Sequence, residues 1–276
     1  MSANFEPPVI SAADAKARAA ERGISPDQLM DELLDAAQSK AIVPVSGFAV
    51  GAVARGVSGA LYLGANLEFT GNPLNASVHA EQAAVANAMA NGERGIDVLM
   101  TTATPCGHCR QFLNELANAD ALRILTRGAP AATLGALLPA AFGPAQLGVS
   151  ERLLDGRMHG LRLAKSSADP LVAAALKAAD ESHTPYGKTP AGIALRLDDG
   201  TLVLGRYAES AAFNPSLSPL QAALSALALA GIAFDRIRGA ALVETDGPAS
   251  QRLAAEALLA TVVHGVSLAY ARAFAF

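Results

Sequence analysis

Thr104-Pro105-Cys106-Gly107-His108-Cys109-Arg110-Gln111 holds both cysteines of this 276-residue chain, and Val78-His79-Ala80-Glu81-Gln82 lies upstream of it. Each segment begins a helix. Ser77 to Asn91 is rich in helix formers and stops at Gly92, a residue suited to the left-handed C-cap. Gly107 to Ala117 reads as a second helix. Between them Asp97 to Ala103 is a strand, and Leu122 to Thr126 is another. Before them, Phe48 to Gly56 alternates, turns at Gly56–Gly59, and returns over Ala60 to Glu68 as a hairpin. Strand–strand–helix–strand–helix–strand predicts an α/β unit of three layers, α/β/α, around a mixed sheet.

The spacing of the two segments carries chemistry. Cys106 and Cys109 are three apart, so a helix beginning there sets both sulfurs on one side. The free N–H groups and positive dipole end of a first helical turn favour thiolates. Thiolates bind zinc, and His79 can add an imidazole, giving three protein ligands and an open fourth position, as in catalytic zinc sites. Glu81 is then a carboxylate beside a metal-activated water, able to take and return a proton. A lone Cys-x-x-Cys also fits a redox pair, but that reading leaves His79 and Glu81 idle. Half of a structural zinc site fits as well, if His108 or a partner chain supplies a fourth ligand. Taken together, His-x-Glu followed by Pro-Cys-x-x-Cys is the known signature of zinc nucleobase deaminases, and it is met here in full. Arg110 either tempers the charge of two thiolates or is a surface helix cation.

Working outward, Ser11 to Arg22 is alanine-rich, and Ser25-Pro26 is an N-cap followed by proline at the first helical position. Leu29, Met30, Leu33 and Leu34 then recur at helical spacing over Asp27 to Lys40. Downstream the whole pattern recurs at an offset near 140 residues. Tyr186–Leu197 resembles Phe48–Val57, and Gly205-Arg206-Tyr207-Ala208-Glu209 resembles Gly64-Ala65-Asn66-Leu67-Glu68. Leu217–Ala230 with Gly231 resembles the helix ended by Gly92, while Ile237–Glu244 and Ser250–Ala260 resemble the next strand and helix. The predicted division is an N-terminal helical extension over 1–45, a first unit over 46–145, a linker over 146–166 and a second unit over 167–276. Counted by this repeat, His79 falls opposite Pro219, Glu81 opposite Gln221, and Cys106–Cys109 near Pro248–Gln251, so no metal site is expected in the second copy.

Composition excludes other classes. At 51% hydrophobic residues the chain is not disordered, and two cysteines cannot staple a disulfide scaffold. A net charge of −4 with no Lys/Arg run argues against nucleic acid as a partner. The first ten residues lack a basic segment, and the longest apolar stretch is broken by Pro130, Gly135 and Pro139. The expectation is a cytoplasmic protein with no membrane partner.

At these residues the sequence resembles the cytidine deaminases of the larger bacterial and plant type, with two tandem deaminase-like domains and a homodimeric assembly. The resemblance extends over Arg55–Gly59, Gly64–Phe69, Val78–Gln82, Cys106–Glu115, Ala141–Pro144 and Ala211–Pro215. It implies a hydrolase acting on a C–N bond in a cyclic amidine, turning cytidine and 2′-deoxycytidine into uridine and 2′-deoxyuridine with release of ammonia, in pyrimidine salvage. It implies one Zn2+ per chain on His79, Cys106 and Cys109. An activated water would attack C4, with Glu81 shuttling protons to N3 and the leaving amine. Asn66, Leu67 and Glu68 would hold the sugar, Phe48 would pack on the pyrimidine, and Ala80 would line the substrate site. Phe142, Ala212 and Phe213 are further candidates for a pocket wall, Phe142 and the Ala211–Pro215 stretch across the dimer. The second copy would serve assembly, as a doubled chain imitates the tetramers of single-domain relatives.

Overall fold

The computed structural model describes residues 4, 5 and 7–275. The first sheet is built from β2 (Val9–Ile10), β3 (Gly51–Gly56), β4 (Leu61–Ala65), β5 (Ile96–Thr101), β6 (Arg123–Thr126) and β7 (Ala132–Thr133), in the order β2-β4-β3-β5-β6-β7. The second contains β1 (Asn4–Phe5), β8 (Leu161–Leu163), β9 (Ala191–Leu197), β10 (Leu202–Arg206), β11 (Ile237–Thr245) and β12 (Leu268–Ala275), in the order β1-β10-β9-β11-β12-β8. In each, a central strand runs antiparallel to both neighbours and the next pair is parallel. The expected tandem α/β arrangement with mixed sheets is present.

Strand alternation assigns the layers. In the first unit Val53, Leu61, Val98 and Met100 turn to one face, where they bury Leu29, Met30, Leu34 and Ala37 of α2 (Pro26–Gln38). Ala52, Ala54, Tyr62 and Leu99 turn to the other, against Ala80, Ala83, Ala84 and Ala88 of α3 (Ala80–Ala90). Ser25 caps α2 with Pro26 following, as its sequence predicts. Asp27, Asp31 and Asp35 of α2 pair with Arg55, Arg123 and Arg127 at the sheet edge, but exposed pairs add little beside that apolar face. The second unit repeats the plan, with α6 (Pro170–Asp180) on one face and α7 (Pro219–Ala230) on the other.

Three expectations need correction. The boundary at residue 45 cuts α2 from the sheet it covers, so that helix is a layer of the first unit and not an extension. The linker drawn over 146–166 contains β8, which pairs with β12 and closes the edge of the second sheet. The counted register is off by one at the helix: His79 and Ser218 are the corresponding N-caps, which places Leu220 opposite Glu81. The connection from Glu209 to Ser218 is two residues shorter than that from Glu68 to His79, which shifts the count.

The two units pack through α3 and α7, and one apolar cluster spans both. The contact is reciprocal: Gln82 Nε2 donates to the Pro215 carbonyl at 2.8 Å, and Gln221 Nε2 to the Ala76 carbonyl at 2.7 Å. Such mutual exchange is the mark of a two-fold interface, here between two copies in one chain.

Gly64 and Gly205 let these helices lie directly on their sheets. A Cβ on Gly64 would stand 2.1 Å from the Ala80 carbonyl oxygen and 2.4 Å from the Ala84 nitrogen. Both are backbone atoms that cannot rotate away. Gly64→Ala is therefore expected to cost about 3 kcal/mol, read as a lowered denaturation midpoint, and to displace the helix start that carries His79 and Glu81.

Candidate active site

Two helix starts meet at one end of the first sheet. His79 is the extended N-cap of α3, and Cys106 is the extended N-cap of α4 (Gly107–Leu113). The His79 Nδ1 stands 3.5 Å from Cys106 Sγ and 3.2 Å from Cys109 Sγ, and the sulfurs are 3.6 Å apart. A tetrahedral zinc with bonds of about 2.3 Å to sulfur and 2.0 Å to nitrogen needs edges of roughly 3.5–3.8 Å. The triangle is slightly tighter than one face of a zinc tetrahedron, and the donor set suits that ion. Among the described residues this is the only group of three His, Cys, Asp or Glu with metal-holding spacing.

Electrostatics agree with the donor chemistry. The Cys106 thiol falls to about 3, because Cys109 and His79 both hydrogen-bond its thiolate. Cys109 moves up, since it donates to that thiolate and is itself buried. His79 moves up beside Cys106. Glu81 is buried one helical position beyond Ala80, and burial pushes its carboxyl up, against the pull of its own N–H and the Cys109 thiol.

A cleft opens from this corner. Its lining includes His79, Ala80, Glu81 and Cys106 on one side and Phe48, Asn66 and Glu68 on the other, with Val45, Ser46, Leu74, Ser77 and Thr104 between them. Phe48 precedes β3 rather than lying within it and is 62% exposed, so its ring is a cleft wall and not core. Asn66 braces that wall: its Oδ1 accepts from Val50 N at 2.8 Å, and its Nδ2 donates to the Phe48 carbonyl at 2.9 Å. Glu68 accepts from the backbone of Val45 and Ser46, both at 2.9 Å. Those donors and the Ser46 hydroxyl outweigh desolvation and hold its carboxyl below the usual range.

Several sequence candidates lie elsewhere. Leu67 is 1% exposed and packs in the core; alternation puts Asn66 and Glu68 on the cleft and Leu67 behind it. Phe142 is exposed outside the cleft, its carbonyl held by Gln111 Nε2 at 2.7 Å and Asn114 Nδ2 at 3.2 Å. Ala212 and Phe213 form a tight turn of the second unit, with Phe213 67% exposed and also outside this cleft. Arg110 donates to the carbonyls of Pro105 and Leu137, each at 2.8 Å, and so pins the residue before Cys106. Arg110→Ala is expected to lower stability by about 2 kcal/mol and to speed zinc loss to a chelator, followed by metal-release kinetics.

His108 was legible only as a residue inside the motif. Its ring stacks on His79 with centroids 4.8 Å apart, which fixes the plane of the ligand imidazole. Ser46, Ser77 and Leu74 carried no sequence signal, because they sit in connections, Leu74 at the start of a single 3-10 turn, whose approach to the cleft is tertiary. In the second copy Tyr207 stands where Asn66 does and is buried.

Comparison of the sequence with known proteins finds one family. Residues 25–124 and 134–256 each match a family described as the cytidine and deoxycytidylate deaminase zinc-binding region. The chain is 46% identical over 244 residues to the cytidine deaminase of Yersinia pestis (strain Pestoides F), covering 88% of this chain and 82% of the relative. The cytidine deaminase of Yersinia pseudotuberculosis (serotype O:1b, strain IP 31758) matches with the same figures. The chain belongs to the cytidine deaminase family. A solved cytidine deaminase from Mycobacterium tuberculosis is 32% identical over 42% of this chain and 96% of its own, with a TM-score of 0.38. The second family match covers a stretch without cysteine, so among cytidine deaminases the resemblance of that copy lies in its fold and not in metal ligands.

Proposed function

We infer that this chain is a zinc-dependent hydrolase that deaminates cytidine and 2′-deoxycytidine to uridine and 2′-deoxyuridine, releasing ammonia. The observation that carries this reading is the His79–Cys106–Cys109 triangle beside buried Glu81, in one cleft with Asn66, Glu68 and Phe48. One zinc per chain is held by the triangle. When bound, zinc supplies the acidity that makes water a nucleophile near neutral pH. Glu81 takes one proton from the attacking water and gives it to N3 of the ring, then takes the proton of the hydroxyl added at C4 and gives it to the amine, so that the C4–N4 bond breaks, the C4=O bond forms and ammonia leaves. Burial raises its carboxyl toward the range where both transfers are efficient. Phe48 stacks on the pyrimidine, and the free N–H groups at the start of α3, around Ala80, offer donors to the ring edge. Asn66 and Glu68 take the sugar hydroxyls.

The ionised Glu68 argues against a nucleotide substrate, since it repels phosphate at the sugar end of the cleft. A free base would leave the cleft-facing acceptor of Glu68 without a hydroxyl to meet. No helix among the described residues is long and apolar enough to cross a membrane.

The remaining parts of the reading concern assembly and setting. The catalytic machinery belongs to the first unit, and the second unit, without metal ligands, serves a homodimer. Phe142, Leu74 and Phe213 are exposed apolar side chains suited to such an interface, and Ala212 and Phe213 then complete the partner's cleft. The same reading puts the reaction in pyrimidine salvage, in the cytoplasm. Sedimentation velocity is expected to give a dimer. A fully active monomer, or a fully active 1–150 fragment, would contradict the role given to the second unit. Loss of cytidine's ultraviolet absorbance on adding the zinc-loaded protein tests the activity itself.

A further inference from the structure

Ser46 sits in a tight turn in which Gly47 N donates to the Val43 carbonyl at 3.0 Å and Gly47 adopts a left-handed φ of 64°. That turn aims the N–H groups of Val45 and Ser46 at a single oxygen, Glu68 Oε2. The Ser46 hydroxyl donates to the other oxygen, Glu68 Oε1, at 2.5 Å, and accepts from Phe48 N at 3.0 Å. A carboxylate offers about four acceptor positions. Three are taken by this turn, and the one left lies on Oε1, in the cleft.

The second copy separates the structural part of this arrangement from the rest. Glu209 accepts from Tyr186 N and Gly187 N, both at 2.9 Å, so two backbone donors suffice to tie the turn to the carboxylate. Glycine replaces Ser46 there. A Cβ on Gly187 would stand 2.4 Å from Glu209 Oε1, so that carboxyl is rotated into the space a serine would occupy. Gly187 has no left-handed backbone that requires glycine. The serine is therefore present only in the copy that carries the metal donors. Its Cβ excludes the Glu209-like rotation, and its hydroxyl fixes Oε1.

We propose that Ser46 is a positioning residue for nucleoside recognition: it orients the free acceptor of Glu68 toward a sugar hydroxyl. This rests on the nucleoside reading given above. The experiment compares kcat and KM of the full-length zinc-loaded enzyme for cytidine and for 2′,3′-dideoxycytidine, which lacks the ring hydroxyls. Ser46→Ala is expected to raise KM for cytidine about tenfold, the scale of one hydrogen bond to a charged group, with kcat within about twofold. KM for the dideoxynucleoside is expected to stay unchanged. Ser46→Thr keeps Cβ and hydroxyl and is expected to keep the cytidine preference, which separates positioning from misfolding. In a Glu68→Gln background Ser46→Ala is expected to add little. Equal losses on both nucleosides, an unchanged KM for cytidine, or a full second loss on top of Glu68→Gln would overturn the proposal. Absence of turnover of either nucleoside by the wild-type enzyme would instead contradict the nucleoside reading itself.

Discussion

Glu81→Gln is expected to lower kcat for cytidine by about a thousandfold while zinc remains at one ion per chain. The amide fills the same buried volume and can still meet the helix N–H groups, but it cannot take up or release a proton in the relevant range. Glu81 does not belong to the His79–Cys106–Cys109 triangle, so the substitution leaves the metal donors in place. Two measurements on one preparation decide it: metal content by elemental analysis and turnover by absorbance. Wild-type turnover with full zinc would remove Glu81 from the proton path. Joint loss of zinc and turnover would move it into the metal shell.

Cys109→Ala is expected to show that second pattern. Cys109 is fully buried, and no other sulfur or imidazole in the metal group can replace it. Two remaining donors hold zinc weakly, so content is expected to fall below about a tenth of an ion per chain, with activity lost in proportion. The variant is expected to be less stable as well, because a bound ion stabilises only the folded chain. Combining it with Glu81→Gln is expected to add little further loss of activity, since both residues serve one step. Full zinc content in Cys109→Ala would contradict the ligand assignment.

The difference between these variants was readable in the sequence because the information is local. A three-residue spacing sets two sulfurs on one helical side, and His79 and Glu81 lie at a helix start that Ala-rich sequence and Gly92 delimit. The tandem arrangement was legible because glycines, acidic residues and helix stops recur together, and Gly64 and Gly205 perform the same close approach in both copies. Features that depend on distant partners were not legible. The apolar stripe of α2 announces a buried helix but does not say which sheet it covers. Arg110 reaches the carbonyl of Leu137, which no spacing relates to the motif. Leu67 lies between two cleft residues in sequence, but strand alternation turns it into the core. The register of the repeat at α3 and α7 is hidden because a shortened connection leaves no mark in composition. Ser46 gave no signal of its own, since its meaning depends on a turn, a carboxylate on another strand, and the glycine that replaces it in the second copy.

The most direct test presents cytidine, 2′-deoxycytidine, cytosine, deoxycytidine monophosphate and adenosine in parallel to the full-length zinc-loaded protein and follows deamination of each. Rapid turnover of cytidine and 2′-deoxycytidine, with little or none of the other three, is the expected result. Turnover confined to cytosine or to the monophosphate would contradict the account, because a cleft that joins Glu81 and the metal donors to Phe48, Asn66 and Glu68 is built for a base that carries an unphosphorylated sugar.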